Sequence, residues 1–388
     1  MFISLGRGLG NMKNRNIVFL SVFSLILLLG FLSIFMEKEG ASTIENRRLA
    51  LFPHPTIKAF VNTEYQNKFS DALADQFLFS QVTKKQMNKL VNFVDYKKVN
   101  KKFCENKYIH INDEIGTYNC DHRLLRLPRY YSKETEDNYK KVITKMNNEI
   151  KVLKYYYFIN DSSNFDFTTN KEIYHFSEYF NENYRIFDFM DYNDYSKYFY
   201  KTDHHWNYNG YYRGYKEIIG MIYPNDELLS PEELVDFHLK YKGSLARTSK
   251  VYDFYDDFKA YKFNYKNHLE YINSKELDYG QYDMYFNNKI NHDEFMDHYR
   301  ELYGADFGEI IYDYKNDKEN LLMIVNSYSN PINGLIASHF NKTYIIDLRY
   351  NKDFNYQRYI TEHDINKVLI TGNISLFDDE STHMFGGR

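Results

Sequence analysis

The sequence predicts an α/β domain with a mostly parallel sheet flanked by helices, carried outside a membrane on one N-terminal helix. Three observations predict it. Helical and strand periodicities alternate through the middle and the end of the chain. Several strand patterns are short apolar runs, such as Leu321-Leu322-Met323-Ile324-Val325, the mark of a buried strand. Residues Ile17 to Met36 carry no charge at all, and a run of that length crosses a bilayer as a helix.

At 388 residues the chain has room for one large domain or two smaller ones. Its net charge of −4 gives no electrostatic reason to expect a nucleic-acid partner. The 40 tyrosines and 31 phenylalanines against 6 prolines match what an AT-rich coding sequence favours, so composition alone does not argue for a sugar-binding surface.

Taken in order, residues 1–16 form a short N-terminal segment with Arg7, Lys13 and Arg15. They precede the span at 17–36, and Glu37, Lys38 and Glu39 follow it. The positive-inside rule places the N-terminus in the cytoplasm and the rest outside, as a single-pass membrane protein. A cleaved signal peptide, with Gly40-Ala41-Ser42 as small residues near the cut, is the competing reading. The length of the apolar run and the charges that end it favour a retained anchor. An outside location suits Cys104 and Cys120, which either close a loop as a disulfide or remain two thiols.

Residues 37–62 read as a linker, and the extracytoplasmic domain as 63–388. A helical pattern runs from Thr63 to about Val94 with Phe69, Leu73, Phe77 and Phe79 among its apolar positions, and Tyr108 to Ile111 reads as a short strand. Helical spacing at Val142, Ile143, Met146 and Ile150 leads into an aromatic strand from Val152 to Ile159, ended by Asn160-Asp161-Ser162-Ser163-Asn164. A helix near 174–184, a strand from Tyr184 to Met190 and a helix from Tyr208 to Tyr223 continue the alternation. From 226 to 319 the chain becomes charged, tyrosine-rich and weakly periodic. That stretch reads as an insertion with a largely solvated surface and a few strands, in which Lys242-Gly243-Ser244-Leu245-Ala246-Arg247 suggests a turn followed by a short strand. The core resumes at Leu321, with further strands at Thr343–Arg349 and Lys367–Asn373 and a helix around Tyr359 to Asn366. Asp347 and Arg349 then fall at the C-terminal end of a strand, where ligands gather in such sheets. There is no Gly-rich phosphate loop and no internal repeat, and no cofactor is expected.

Chemistry concentrates in Thr202-Asp203-His204-His205-Trp206, which holds the only tryptophan of the chain. Read as an extended segment, Asp203 and His205 point to one face. The carboxylate then fixes the imidazole's tautomer, which is the acid–base half of a hydrolytic triad. His204 would face the other way and be structural, and Trp206 would be a packing anchor. Ser327 is the candidate nucleophile, on the turn after Leu321–Val325, with Asn330 as N-cap and Pro331 as the first residue of the following helix. A helix start there favours developing negative charge on the oxyanion. Ser329 is the rival nucleophile. A metal site through Asp203, His204 and His205 is a further alternative; it would need a turn to aim adjacent histidines at one ion, and no metal is expected.

The Asp-His-His-Trp tetrapeptide, 203–206, resembles the signature of the DHHW family, and that family is similar to the alginate O-acetyltransferases, whose catalytic domain is SGNH-hydrolase-like. Those enzymes carry a Thr-Asp-x-His-Trp segment before a Gly-Thr/Asp-Ser-Tyr turn. By this resemblance Asp203 and His205 match the family's Asp and His, and Ser327 its nucleophile, in the same chain order. The turn here reads Val325-Asn326-Ser327-Tyr328, without that Gly or Asp. Asp71 to Phe77 and Lys242 to Arg247 also resemble family segments. The resemblance implies an extracytoplasmic O-acyltransferase that acetylates a cell-surface or secreted polysaccharide, with a multi-pass membrane O-acyltransferase delivering the acyl group. The alternatives are a carbohydrate acetyl esterase using the same residues, and a non-catalytic envelope protein binding glycan or a partner.

Overall fold

The computed structural model describes residues 4–36, 40–77 and 116–377, apart from 43, 45, 121, 168, 170, 174–175, 181–182, 266–267, 278–284, 287–291 and 353. The strand expected at Tyr108–Ile111, the second half of the helix expected over 63–94, and Cys104 with its pairing to Cys120 lie outside the described residues.

The chain divides into two units, residues 1–100 and 101–388. In the first, α1 (Ser4–Ser33) contains an apolar window, Asn16–Ser33, with a mean hydropathy of 2.3. It is long and apolar enough to cross a membrane. Among the described residues two further helices follow, α2 (Ile57–Val61) and α3 (Glu64–Gln76). Asp75 of α3 holds the segment before α2 by accepting from the Arg47 guanidinium at 2.6 and 2.8 Å and from the Ala50 N–H at 3.0 Å.

The second unit begins with a hairpin, β1 (Thr117–Cys120) and β2 (Arg123–Arg126), and then α4 (Lys133–Glu149). Next come β3 (Leu153–Ile159), β4 (Tyr184–Phe187), α5 (Tyr192–Tyr198) and α6 (Tyr208–Ile222). Among the described residues, the helix expected near 174–184 is a 3-10 turn at Phe176–Tyr179. The stretch expected to be an insertion holds β5 (Glu233–Tyr241), α7 (Ser244–Ser249), β6 (Asp256–Lys262), β7 (Leu269–Ile272), β8 (Lys275–Leu277), α8 (His298–Tyr303) and β9 (Ile310–Asp313). The chain closes with β10 (Leu321–Val325), a 3-10 turn (Ser327–Ile332), α9 (Asn333–Ala337), β11 (Lys342–Asp347), α10 (Tyr356–Glu362) and β12 (Lys367–Gly372).

One eight-stranded sheet runs through the unit in the order β8-β7-β9-β11-β10-β12-β3-β4. From β11 to β4 neighbouring strands are parallel, while β9, β7 and β8 extend the sheet antiparallel. The continuous apolar sequence of β10 follows from this position. Leu321, Met323 and Val325 pack on one face with Tyr215, Ile219 and Leu335, while Leu322 and Ile324 pack on the other with Ile143 and Met146. Both faces being covered, every residue of the strand is buried, at about 2 kcal/mol for each large apolar side chain.

Two expectations for 226–319 need correction. The stretch does more than decorate the core, since β7, β8 and β9 complete the sheet. In β5 the pattern is regular: Phe237, Leu239 and Tyr241 are buried on one face and Asp236, His238 and Lys240 turn away, the alternation of a strand with one covered face. Lys242–Arg247 is also not a turn and strand but the start of α7.

Candidate active site

The loop between α5 and α6 carries the Asp-His-His-Trp segment as a series of bends. Its shape is fixed from below by Asp256 of β6, whose carboxylate accepts from the Lys201 N–H at 2.7 Å, the Thr202 N–H at 2.9 Å and the Thr202 hydroxyl at 2.6 Å. Asp203 then folds back on its own chain. Its Oδ1 accepts from the His205 N–H at 3.0 Å and lies 2.7 Å from His205 Nδ1. An Asx-type bend, not an extended strand, therefore brings this carboxylate to this imidazole. The same bend corrects the expectation for His204. Its ring is not on the opposite face but has its centroid 3.9 Å from that of His205, and its Nδ1 lies 2.7 Å from Ser244 Oγ.

Asp203 Oδ2 is held by the neighbouring region: the Tyr241 hydroxyl donates to it at 2.8 Å and the Ser244 N–H at 2.6 Å. Burial alone would disfavour this charge. The His205 ring and the Ser244 N–H outweigh burial and hold the carboxyl well below the usual carboxylate range. The approach of α7 is close enough to require a glycine. A Cβ on Gly243 would sit 2.4 Å from Asp203 Cβ and 2.6 Å from its Oδ2. For His204, burial comes first and His205 and Arg126 add to it, keeping the imidazole neutral against the pull of Asp203.

Ser327 begins the turn after β10, with its Oγ 2.9 Å from His205 Nε2. With Nδ1–H donated to Asp203, Nε2 is free to accept the serine proton. The cap differs from expectation. Asn326, not Asn330, is the N-cap, its side chain accepting from the Tyr328 N–H and donating to Asn373 Oδ1 at 2.8 Å. Gly372 makes room for that side chain: its φ is +150°, and a Cβ there would lie 2.4 Å from Asn326 Oδ1. Asn330 instead donates to Gly304 O and Asp306 Oδ1, both at 3.1 Å. The rival Ser329 is fully buried, and its hydroxyl donates to Asn326 O at 3.1 Å, while the His205 Nε2 contact goes to Ser327.

Other groups that the sequence reading left without a role complete the site. Asp161, just past β3, accepts from the Tyr328 hydroxyl at 2.6 Å and Asn373 at 3.1 Å, with Arg126 at 3.7 Å. Burial opposes its charge, but these partners and Ser163 keep it below the ordinary carboxylate range. Tyr299 of α8 stacks on His205. The only sequence marks of these groups were the polar break at 160–164 and the Lys-Gly-Ser segment. Asp347 and Arg349 do lie at the C-terminal end of β11, but the Arg349 guanidinium is taken up by Asp347 at 2.5 Å and Asp306 at 3.0 Å. Trp206 is completely buried, edge-to-face on Phe187. Asp203, His204 and His205 each offer a ligand atom within 4.8 Å of the others. Two of those residues are already joined, His205 Nδ1 to Asp203 Oδ1 at 2.7 Å.

No family model matches the sequence, and no curated protein matches it. Solved structures do. The chain superposes on the structure of Bacillus cereus PatB1 with a sulfonyl adduct at a TM-score of 0.54 and 17% identity, over 70% of this chain and 99% of that one. A second structure of Bacillus cereus PatB1 gives 0.50 and 18%, over 69% and 99%. A DHHW family protein from Eubacterium siraeum gives 0.51 and 14%, over 70% and 94%. What these likenesses share with the chain is the fold, an α/β arrangement around a central, mostly parallel sheet, in PatB1 and in a DHHW family protein alike.

Proposed function

We propose that this protein is a serine-dependent O-acyltransferase, which transfers an acetyl group to a hydroxyl of a cell-surface or secreted polysaccharide outside the cytoplasm. The observation that carries the reading is the line of contacts Ser327 Oγ–His205 Nε2 at 2.9 Å and His205 Nδ1–Asp203 Oδ1 at 2.7 Å. That line orders a hydroxyl, a base and an orienting carboxylate as nucleophilic catalysis needs.

In the first half-reaction Ser327 Oγ attacks the carbonyl carbon of an acyl ester or thioester and its proton passes to His205 Nε2. The tetrahedral intermediate collapses, the bond to the leaving group breaks, and His205 returns the proton to that group. The acyl-serine is then attacked by a sugar hydroxyl, which gives its proton to His205; Ser327 is released and takes the proton back. Asp203 stays ionised and stabilises the imidazolium in both halves. The Ser327 N–H at the start of the turn is the first oxyanion donor, and loss of one such donor costs about 3–4 kcal/mol of barrier. No cofactor takes part. The apolar helix would hold the site at the outer face of the membrane, beside a multi-pass O-acyltransferase that supplies the acyl group.

PatB1 has been solved with a sulfonyl adduct, and activated hydroxyls react with sulfonyl electrophiles. The test therefore uses two probes on the full chain purified in detergent. Wild type is expected to release p-nitrophenol from p-nitrophenyl acetate and to take up one phenylmethylsulfonyl group on Ser327. Ser327→Ala is expected to lose both, by about 10⁴-fold in turnover. Equal turnover in the two proteins would overturn the reading. With an acceptor oligosaccharide present, acetylated sugar marks transfer, and acetate alone marks an esterase.

A further inference from the structure

We infer that Tyr299 is a positioning residue for this reaction, a clamp that holds the base and the nucleophile in one geometry. The inference rests on the proposed Ser327–His205–Asp203 chemistry.

Tyr299 touches both halves of that pair at once. Its ring lies face to face on the His205 imidazole, with centroids 3.9 Å apart and planes 9° from parallel. Its hydroxyl donates to the backbone carbonyl of Ser327 at 3.0 Å. His205 comes from the loop before α6 and Ser327 from the turn after β10, 122 residues apart. Among the described residues, Tyr299 is held so that one rigid side chain spans both. It is buried, and burial pushes its phenol well above its usual range, so the hydroxyl remains a donor.

The stack and the hydrogen bond do different work. The stack fixes the plane of the imidazole, so Nε2 stays aimed at Ser327 Oγ while Nδ1 stays on Asp203. Its electron-rich face also favours the imidazolium formed when the serine proton is taken. The hydrogen bond fixes the peptide of Ser327 and with it the turn that aims the oxyanion donor. A side chain with two rotatable bonds, buried at its ring and tied at its tip, has little freedom left to lose when the substrate arrives.

The clamp is itself tied to the carboxylate. Asp297, the N-cap of α8, pairs with Arg247 of α7 at 3.0 Å. The first residue of α7, Ser244, gives its N–H to Asp203. One ion pair thus links the helix that backs the acid to the helix that carries the clamp.

Two variants test this in the full chain with p-nitrophenyl acetate. Tyr299→Phe keeps the ring and loses only the hydroxyl; kcat is expected to fall about 3- to 10-fold. Tyr299→Leu loses both contacts, and kcat is expected to fall about 30- to 100-fold with KM within about twofold. Phenylmethylsulfonyl labelling of Ser327 should slow in parallel with kcat. Wild-type kcat in both variants would overturn the inference, as would equal losses in both, because the stack would then carry nothing. A loss confined to KM would do the same. If Tyr299→Leu does not fold, Tyr299→Phe decides the matter, its thermal midpoint being expected within a few degrees of wild type. Ser327→Ala separates this outcome from a failure of the functional reading. If that variant is silent and the Tyr299 variants turn over as wild type, only the clamp is wrong.

Discussion

The strands around β10 and the stretch from β5 to α8 contribute to one site in opposite ways. The parallel strands are rigid and continuous: β10 is buried along its whole length, and its end presents Ser327 from a capped turn. The region from Glu233 to Tyr303 mixes hairpin, short helices and polar side chains, yet it supplies Tyr241, Ser244, Asp256 and Tyr299 to the histidine loop. The sheet presents the Ser327 hydroxyl, while the weakly patterned region immobilises Asp203 and His205. A reactive group can sit at the end of a strong element, but its partners need several independent contacts to be held to within a few tenths of an ångström.

The comparison can be broken most severely at Gly243. Gly243→Ala places a methyl carbon 2.4 Å from Asp203 Cβ against backbone that has little room to shift. Turnover of p-nitrophenyl acetate is expected to fall about 100-fold, because a displaced carboxylate misaligns the imidazole. Urea unfolding should show a loss of about 1–3 kcal/mol. Normal turnover would mean that the backing of Asp203 is dispensable.

Asp161 sharpens the sheet side of the comparison. Its carboxyl is held below the ordinary range in the folded protein, so the unfolded chain binds the proton more readily. The stability it contributes is complete above the ordinary value of about 3.9 and is lost as pH falls towards the folded value. Asp161→Asn is expected to cost about 2–3 kcal/mol at pH 7, and the gap from wild type should narrow below about pH 4. Denaturant unfolding at pH 7, 5 and 3 measures this, and a gap that stays constant would refute the assignment. The smallest effect is expected at Ser329. Its hydroxyl donates to Asn326 O, so Ser329→Ala should leave turnover within about twofold and stability within about 1 kcal/mol.

Much of the sheet was legible from residues alone, because β3, β10, β11 and β12 are buried enough to write their burial into apolar runs. The three site residues were legible through their types and chain order, and the structure brings them together. The reason given for the Asp203–His205 contact was nonetheless wrong: an Asx-type bend makes it, and the same bend puts His204 beside His205. Local sequence could not show that Asp256 forces the bend, since the contact crosses 54 residues. Tyr241, Tyr299 and Asp161 were hidden for the same reason. Each is an ordinary tyrosine or aspartate until distant pairing brings it to the site. Pro331 suggests a helix start with Asn330 as its cap, but it lies inside the 3-10 turn, whose N-cap is Asn326.

Trp206 is sealed from solvent one residue beyond His205, and it is the only tryptophan of 388 residues. Indole emission from this protein therefore comes from a single place, and that place is the loop on which the proposed chemistry depends. Excitation at a wavelength that tyrosine does not absorb would follow loosening of this loop separately from unfolding of the sheet, with no label attached.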